Sequence, residues 1–141
     1  MRTNIRLGLV GLVMTSIFVL GPGAGAQQGF KSSLVLQTTT TSIGQPILFP
    51  LFRNEVRAFL IELAPGGEVG RHRHPVPTFV YVLEGTFTVE TDGHPPRQYQ
   101  AGQGYVEAMG TWHNGLNRGT TPVKFLVVYA AEEGRPTAVR P

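Results

Sequence analysis

The sequence predicts an all-β protein, an antiparallel sandwich or small barrel, on three observations. The 141 residues include 18 glycines and 11 prolines, about a fifth of the chain. Punctuation that dense favours short strands joined by turns over a helical bundle. Apolar and polar residues alternate with period two in many segments, and no segment keeps an i, i+3, i+4, i+7 stripe for three turns. Nothing repeats at the roughly 20–50 residue periods of solenoids and propellers. A chain of this length holds one domain with a single core.

The first segment reads as an address. Arg2 and Arg6 precede an apolar stretch from Leu7 to Leu20, and Ala24-Gly25-Ala26 follows Pro22. A basic start, a short apolar core and an Ala-x-Ala end describe a secretory signal peptide over residues 1–26, cut after Ala26. The alternative, an uncleaved membrane anchor, is disfavoured because the apolar run is shorter than the ~20 residues a span needs. The expectation is an exported protein, periplasmic or secreted, with no membrane span after processing and one domain over residues 27–141, its core at about 46–131. Losing Arg2 and Arg6 lowers the formal charge from +3 to +1. That balance, with no Lys/Arg runs, excludes nucleic acid as a partner.

Strands are expected at Ser33–Thr38, Pro46–Phe49, Val56–Leu63, Thr78–Glu84, Thr86–Thr91, Arg97–Tyr99, Gly104–Ala108, His113–Asn117 and Val123–Ala130. Gly66-Gly67, Gly102 and Gly110 punctuate the turns between them. Asp92-Gly93 signals a two-residue hairpin after Thr91. Gln27–Ser32 and Arg135–Pro141 read as arms or tails.

No Cys is present, which removes thiolate metal sites, disulfides and thiol nucleophiles. The chemistry therefore falls to histidines, carboxylates and hydroxyls. Of four histidines, His72 and His74 are two apart, so on an extended chain both imidazoles project from one face and can grip one ion. His113 follows the turn Gly110-Thr111-Trp112 on a later strand. His94, in the turn after Asp92, reads as an exposed loop residue.

Two stretches resemble the paired motifs of the cupin superfamily. Gly66, His72, His74, Thr78 and Gly85 stand at the spacings of the first motif. Gly102, Ala108, Gly110, His113 and Asn117 stand at those of the second. The resemblance implies a cupin-type jelly-roll β-barrel, an antiparallel double sheet, completed by Val56–Leu63 and Val123–Ala130. It implies a divalent metal (Mn, Fe, Ni, Cu or Zn) held by His72, His74 and His113, with Thr78, Val80 and Trp112 around the pocket. The family places Glu where this chain has Thr78, and Pro where it has Ala108. Thr78 is neutral, so either three imidazoles hold the metal alone or the metal has been lost.

Glu107 stands where the family is usually apolar. If it points inward it is a fourth ligand or the general acid/base; the alternatives are a partner orienting a ligand histidine or a solvated rim residue. Thr78, Val80 and Val82 share one face of their strand, and Phe79, Tyr81 and Leu83 the other. A strand apolar on both faces needs a second cover, and a homodimer is expected. Arg71 and Arg73, alternating with the histidines, should face away from the metal. The function is then either a metal-dependent oxygenase, isomerase or decarboxylase of a small organic molecule, or a non-catalytic module holding a metal or small ligand.

Overall fold

The computed structural model describes residues 32–141; the signal peptide expected over residues 1–26 lies outside them. Seven strands follow in order: β1 (Asn54–Leu63), β2 (Thr78–Glu84), β3 (Thr86–Thr91), β4 (Arg97–Gln100), β5 (Gly104–Val106), β6 (His113–Leu116) and β7 (Val123–Glu132). No helix occurs among the described residues. One sheet has the order β1-β7-β2-β5 and the other β4-β3-β6, with every ladder antiparallel. This is the double sheet of a cupin-type jelly-roll.

The long pair β1–β7 runs from Asn54 opposite Glu132 to Leu63 opposite Val123. Alternate β7 residues, Val123, Phe125, Val127, Tyr129 and Ala131, are buried, as period two requires. Across the core Phe87 stacks on Phe125 at 4.2 Å between ring centroids. Gly85 turns β2 into β3 with φ at +78°, and a Cβ there would meet the Pro122 carbonyl oxygen at 2.7 Å. Only glycine fits both demands. At the end of β6, Asn117 is buried and its Nδ2 donates to the carbonyls of Leu63 (2.9 Å) and Thr121 (2.8 Å).

Three local expectations are corrected. Ser33–Thr38 and Pro46–Phe49 form no strands; a single bridge, Thr40 to Pro46, is all they contribute. Pro46 and Pro50 lack the N–H that a ladder needs, and Leu34, Leu48 and Phe49 lie exposed. Asp92-Gly93 does not close a two-residue hairpin. Residues 92–96 form a longer loop, and pairing resumes only at Arg97 opposite Val89, because Pro95 and Pro96 cannot donate. His94 is exposed in that loop.

The outer face of the β1-β7-β2-β5 sheet is apolar and open. Val56 (74% exposed) and Leu60 (65%) stand there beside β7, and Leu60 is in register with Leu126, which is opposite Tyr81 on β2. A groove of about 220 Å³ on this face is walled by Ile47, Phe49, Val56, Phe79 and Val128.

Candidate metal centre

The chain from Arg71 to Val76 is extended, with His72, His74 and Val76 buried and Arg71, Arg73 and Pro75 exposed. His72 exchanges both backbone hydrogen bonds with His113, at 2.9 and 2.8 Å, which sets their rings 4.5 Å apart. His74 is bridged to Met109 in the same way as a short parallel pair. Two chain segments far apart in sequence thus deliver three imidazoles to one point. Arg71 and Arg73 point outward and flank Trp112, with guanidinium carbons 5.6 and 4.8 Å from its ring centroid.

Each imidazole is oriented from behind. Nδ1 of His72 lies 2.7 Å from the Gly70 carbonyl oxygen, that of His74 2.6 Å from Thr137 and that of His113 2.9 Å from Thr111. A carbonyl only accepts, so each Nδ1 is the protonated nitrogen and each Nε2 is left with a bare lone pair. The lone pairs converge: Nε2 of His72 and His74 are 3.0 Å apart. Nε2 of His113 is buried with no hydrogen-bond partner among the described residues. Bare nitrogens this close repel unless a cation lies between them. Two nitrogens each ~2.1 Å from one ion and at right angles would be about 3.0 Å apart.

Glu107 is buried and faces the same point. Its Oε2 is 2.9 Å from His74 Nε2 and 3.7 Å from His113 Nε2; the second contact is electrostatic, being too long for a hydrogen bond. One donor atom from each of His72, His74, Glu107 and His113 falls within 4.8 Å of the others. Three neutral imidazoles and a carboxylate are a donor set suited to a divalent transition ion.

The carboxylate's route explains the departure at Thr78. Phe79 is in register with Val106, and the Glu107 N–H donates to the Thr78 carbonyl at 2.8 Å. Glu107 is therefore the lateral neighbour of Thr78, one strand over and facing the same interior. Thr78 is fully buried, and its Oγ1 donates to the Val76 carbonyl at 3.1 Å. Val80 is fully buried in the core. Thr78, Val80 and Trp112 are thus not brought into the ligand cluster.

Electrostatics follow the burial. Burial pulls the His72 imidazole down to about 4, so it stays neutral. Burial also pulls His113 down, but the Glu107 carboxylate outweighs it and the net shift is upward. For Glu107, burial pushes up while His113 and His74 pull harder, and the carboxyl is held well below its usual range. Burial and the Glu107 charge push the Tyr129 phenol up to about 12.

Three contributors were not legible as site residues. Tyr105 donates to Glu107 Oε1 at 3.2 Å; standing two residues before Glu107 on an extended chain was its signal. The Tyr129 ring lies 5.3 Å from that of His74. Thr137, in the expected tail, supplies the carbonyl behind His74, while Val139 exchanges two backbone hydrogen bonds with Arg73. Beneath the cluster, Val69, Phe87, Phe125 and Val127 line a cavity of about 20 Å³, room for one water-sized group at the ~10–15 Å³ a water needs.

A family model described as a cupin domain matches residues 59–129, half of the chain. The chain is a cupin. Over 67 residues this cupin is 42% identical to the beta-alanine degradation protein BauB of Pseudomonas aeruginosa, covering 45% of this chain and 68% of that protein. Its fold is shared with a DMSP lyase, DddQ, from Ruegeria pomeroyi, at a TM-score of 0.53 and 23% identity, over 60% of this chain and 42% of that one. An oxalate decarboxylase of Bacillus subtilis with Mn(II) centres aligns at a TM-score of 0.53 and 25% identity, over 60% of this cupin and 23% of that chain. The cupin thus spans less than half of either solved structure.

Proposed function

We propose that this cupin holds one divalent ion through Nε2 of His72, His74 and His113 and Oε2 of Glu107, and acts with it as an enzyme on a small organic molecule. The observation that carries the reading is the convergence of three Nε2 lone pairs, each tautomer set by a backbone carbonyl, on one buried carboxylate. A bound divalent ion supplies Lewis acidity and open coordination positions, suited to oxygenation, isomerisation or decarboxylation. The histidines orient it and Glu107 offsets part of its charge. The likeness to a Mn(II) oxalate decarboxylase supports Mn among the divalent ions Mn, Fe, Ni, Cu and Zn.

The test is elemental analysis of the purified protein and of His74→Ala. A stoichiometric transition metal lost in the variant is expected; a protein that takes up no metal overturns the reading. A second reading, a module that holds metal or ligand without turnover, is favoured by the small cavity. Stoichiometric metal with no conversion of any carboxylate, thiol or sugar substrate offered would select it.

The apolar outer sheet face, with Val56, Leu60 and Leu83 exposed, supports a homodimer packed through it. Sedimentation equilibrium of the wild type and Leu60→Glu checks this, with a monomer expected only in the variant. Export with loss of residues 1–26 rests on their composition; Edman sequencing of the exported protein should begin at Gln27.

A further inference from the structure

We infer that Tyr105 is a positioning residue for the metal centre: its hydroxyl occupies Glu107 Oε1 and so presents Oε2 alone to the ion. This rests on the metal-binding reading above. A carboxylate reaching the site from the residue after β5 instead of from β2 enters a buried position, and each of its oxygens needs a partner there. Oε2 faces His74 Nε2 at 2.9 Å, and the ion that the two would share is its partner. Oε1 has the Tyr105 hydroxyl at 3.2 Å. Tyr105 precedes Glu107 by two residues, so the strand pleat turns both side chains to the same interior.

The phenol is itself held in place. Tyr105 is 5% exposed, and its ring stacks on Tyr99 of β4 with centroids 3.7 Å apart and planes 8° from parallel. Tyr99 belongs to the second sheet, so the two sheets clamp the group that aims the carboxylate. A carboxylate pinned through one oxygen cannot swing to chelate an ion with both, which leaves another coordination position open. Thr78, whose hydroxyl is turned to the Val76 carbonyl, makes no such contact.

The experiment titrates Mn(II) into metal-free wild type, Tyr105→Phe, Tyr99→Phe and Glu107→Gln, reading free Mn(II) by room-temperature electron paramagnetic resonance and the bound ion's spectrum at low temperature. Tyr105→Phe keeps the stacked ring and removes only the hydroxyl. The expected result is a loss of affinity of roughly 10–100-fold and an altered bound-Mn(II) spectrum, with Tyr99→Phe unchanged. The double variant Tyr105→Phe/Glu107→Gln should bind no more weakly than Glu107→Gln alone. Wild-type affinity and spectrum in Tyr105→Phe would overturn the inference while leaving the metal site standing, as would equal losses in Tyr99→Phe. Failure of Tyr105→Phe to fold, seen by circular dichroism while Glu107→Gln folds, would assign the hydroxyl to packing and overturn it too. A wild type that binds no Mn(II), Fe(II), Ni(II), Cu(II) or Zn(II) would overturn both.

Discussion

Gly115→Ala probes the floor of the metal centre. Gly115 lies on β6, two residues from His113 and facing inward. A Cβ there would meet Phe87 Cζ at 2.3 Å, Phe87 Cε2 at 2.9 Å and Val69 Cγ2 at 3.2 Å. Ordinary contact begins near 3.4 Å, so the methyl overlaps the ring by about 1 Å. Phe87 is stacked on Phe125 at 4.2 Å, and the cavity of about 20 Å³ beside it is smaller than the displacement of a ring requires. Overpacking of a close-packed core costs about 1–3 kcal/mol, and a clash this deep belongs at the upper end. Alanine recovers about 0.5–1 kcal/mol of backbone entropy relative to glycine in a strand. The net loss is then about 2 kcal/mol, or roughly 8 °C in Tm for a domain of this size. Thermal unfolding of the metal-free protein by circular dichroism measures it. Metal affinity should fall as well, because β6 must back away and carry His113 Nε2 with it. A Tm within about 2 °C of wild type would show that the ring yields freely and refute the reasoning.

Four further outcomes are expected. Glu107→Gln should weaken metal binding by at least the roughly 10–100-fold typical of outer-shell losses, measured by dye competition. Metal affinity should fall as pH drops through neutrality, because His113, whose proton is held more tightly than usual, must release it to bind. Calorimetry in two buffers of different ionisation enthalpy would reveal that proton. In the metal-free protein His72 remains neutral down to about pH 4 but is protonated below ~6.5 when unfolded. The unfolded chain therefore binds the extra proton between those values, and the stability that rests on a neutral His72 is lost as pH falls from about 6.5 to about 4. Urea melts of wild type against His72→Asn should show that slope only in the former. Finally, Thr78→Glu/Glu107→Val returns the carboxylate to β2 and should retain metal within roughly tenfold, while Thr78→Glu alone puts two buried carboxylates side by side and should lower the metal-free Tm.

The strands β2, β3 and β7 lie close to the bounds their residues imply, since their runs of β-branched and aromatic residues end at turn signals. Pro46–Phe49 has the composition of a strand but not the donors, and composition does not report whether a partner strand exists. The site divides the same way. His72, His74 and His113 are legible because a two-residue repeat and a turn motif encode their approach. The inward aim of Glu107 depends on β5 keeping register with β2, which is a property of the ladder and not of Glu107.

From its residues alone the chain determined an all-β double sheet, oxygen and nitrogen ligands in place of thiolates, and three histidines able to share an ion. Those are matters of residue type and short spacing. Tertiary structure decided what no local pattern holds. It placed the carboxylate missing at Thr78 on the neighbouring strand, brought Tyr105 to its second oxygen, and seated the Thr137 carbonyl behind His74. It also left Trp112 outside, between two guanidinium groups. Apart from the Tyr105 contact, which is local but takes its aim from the same register, each of these joins segments separated in sequence, set by sheet register and chain return, and such contacts exist only once the barrel has closed.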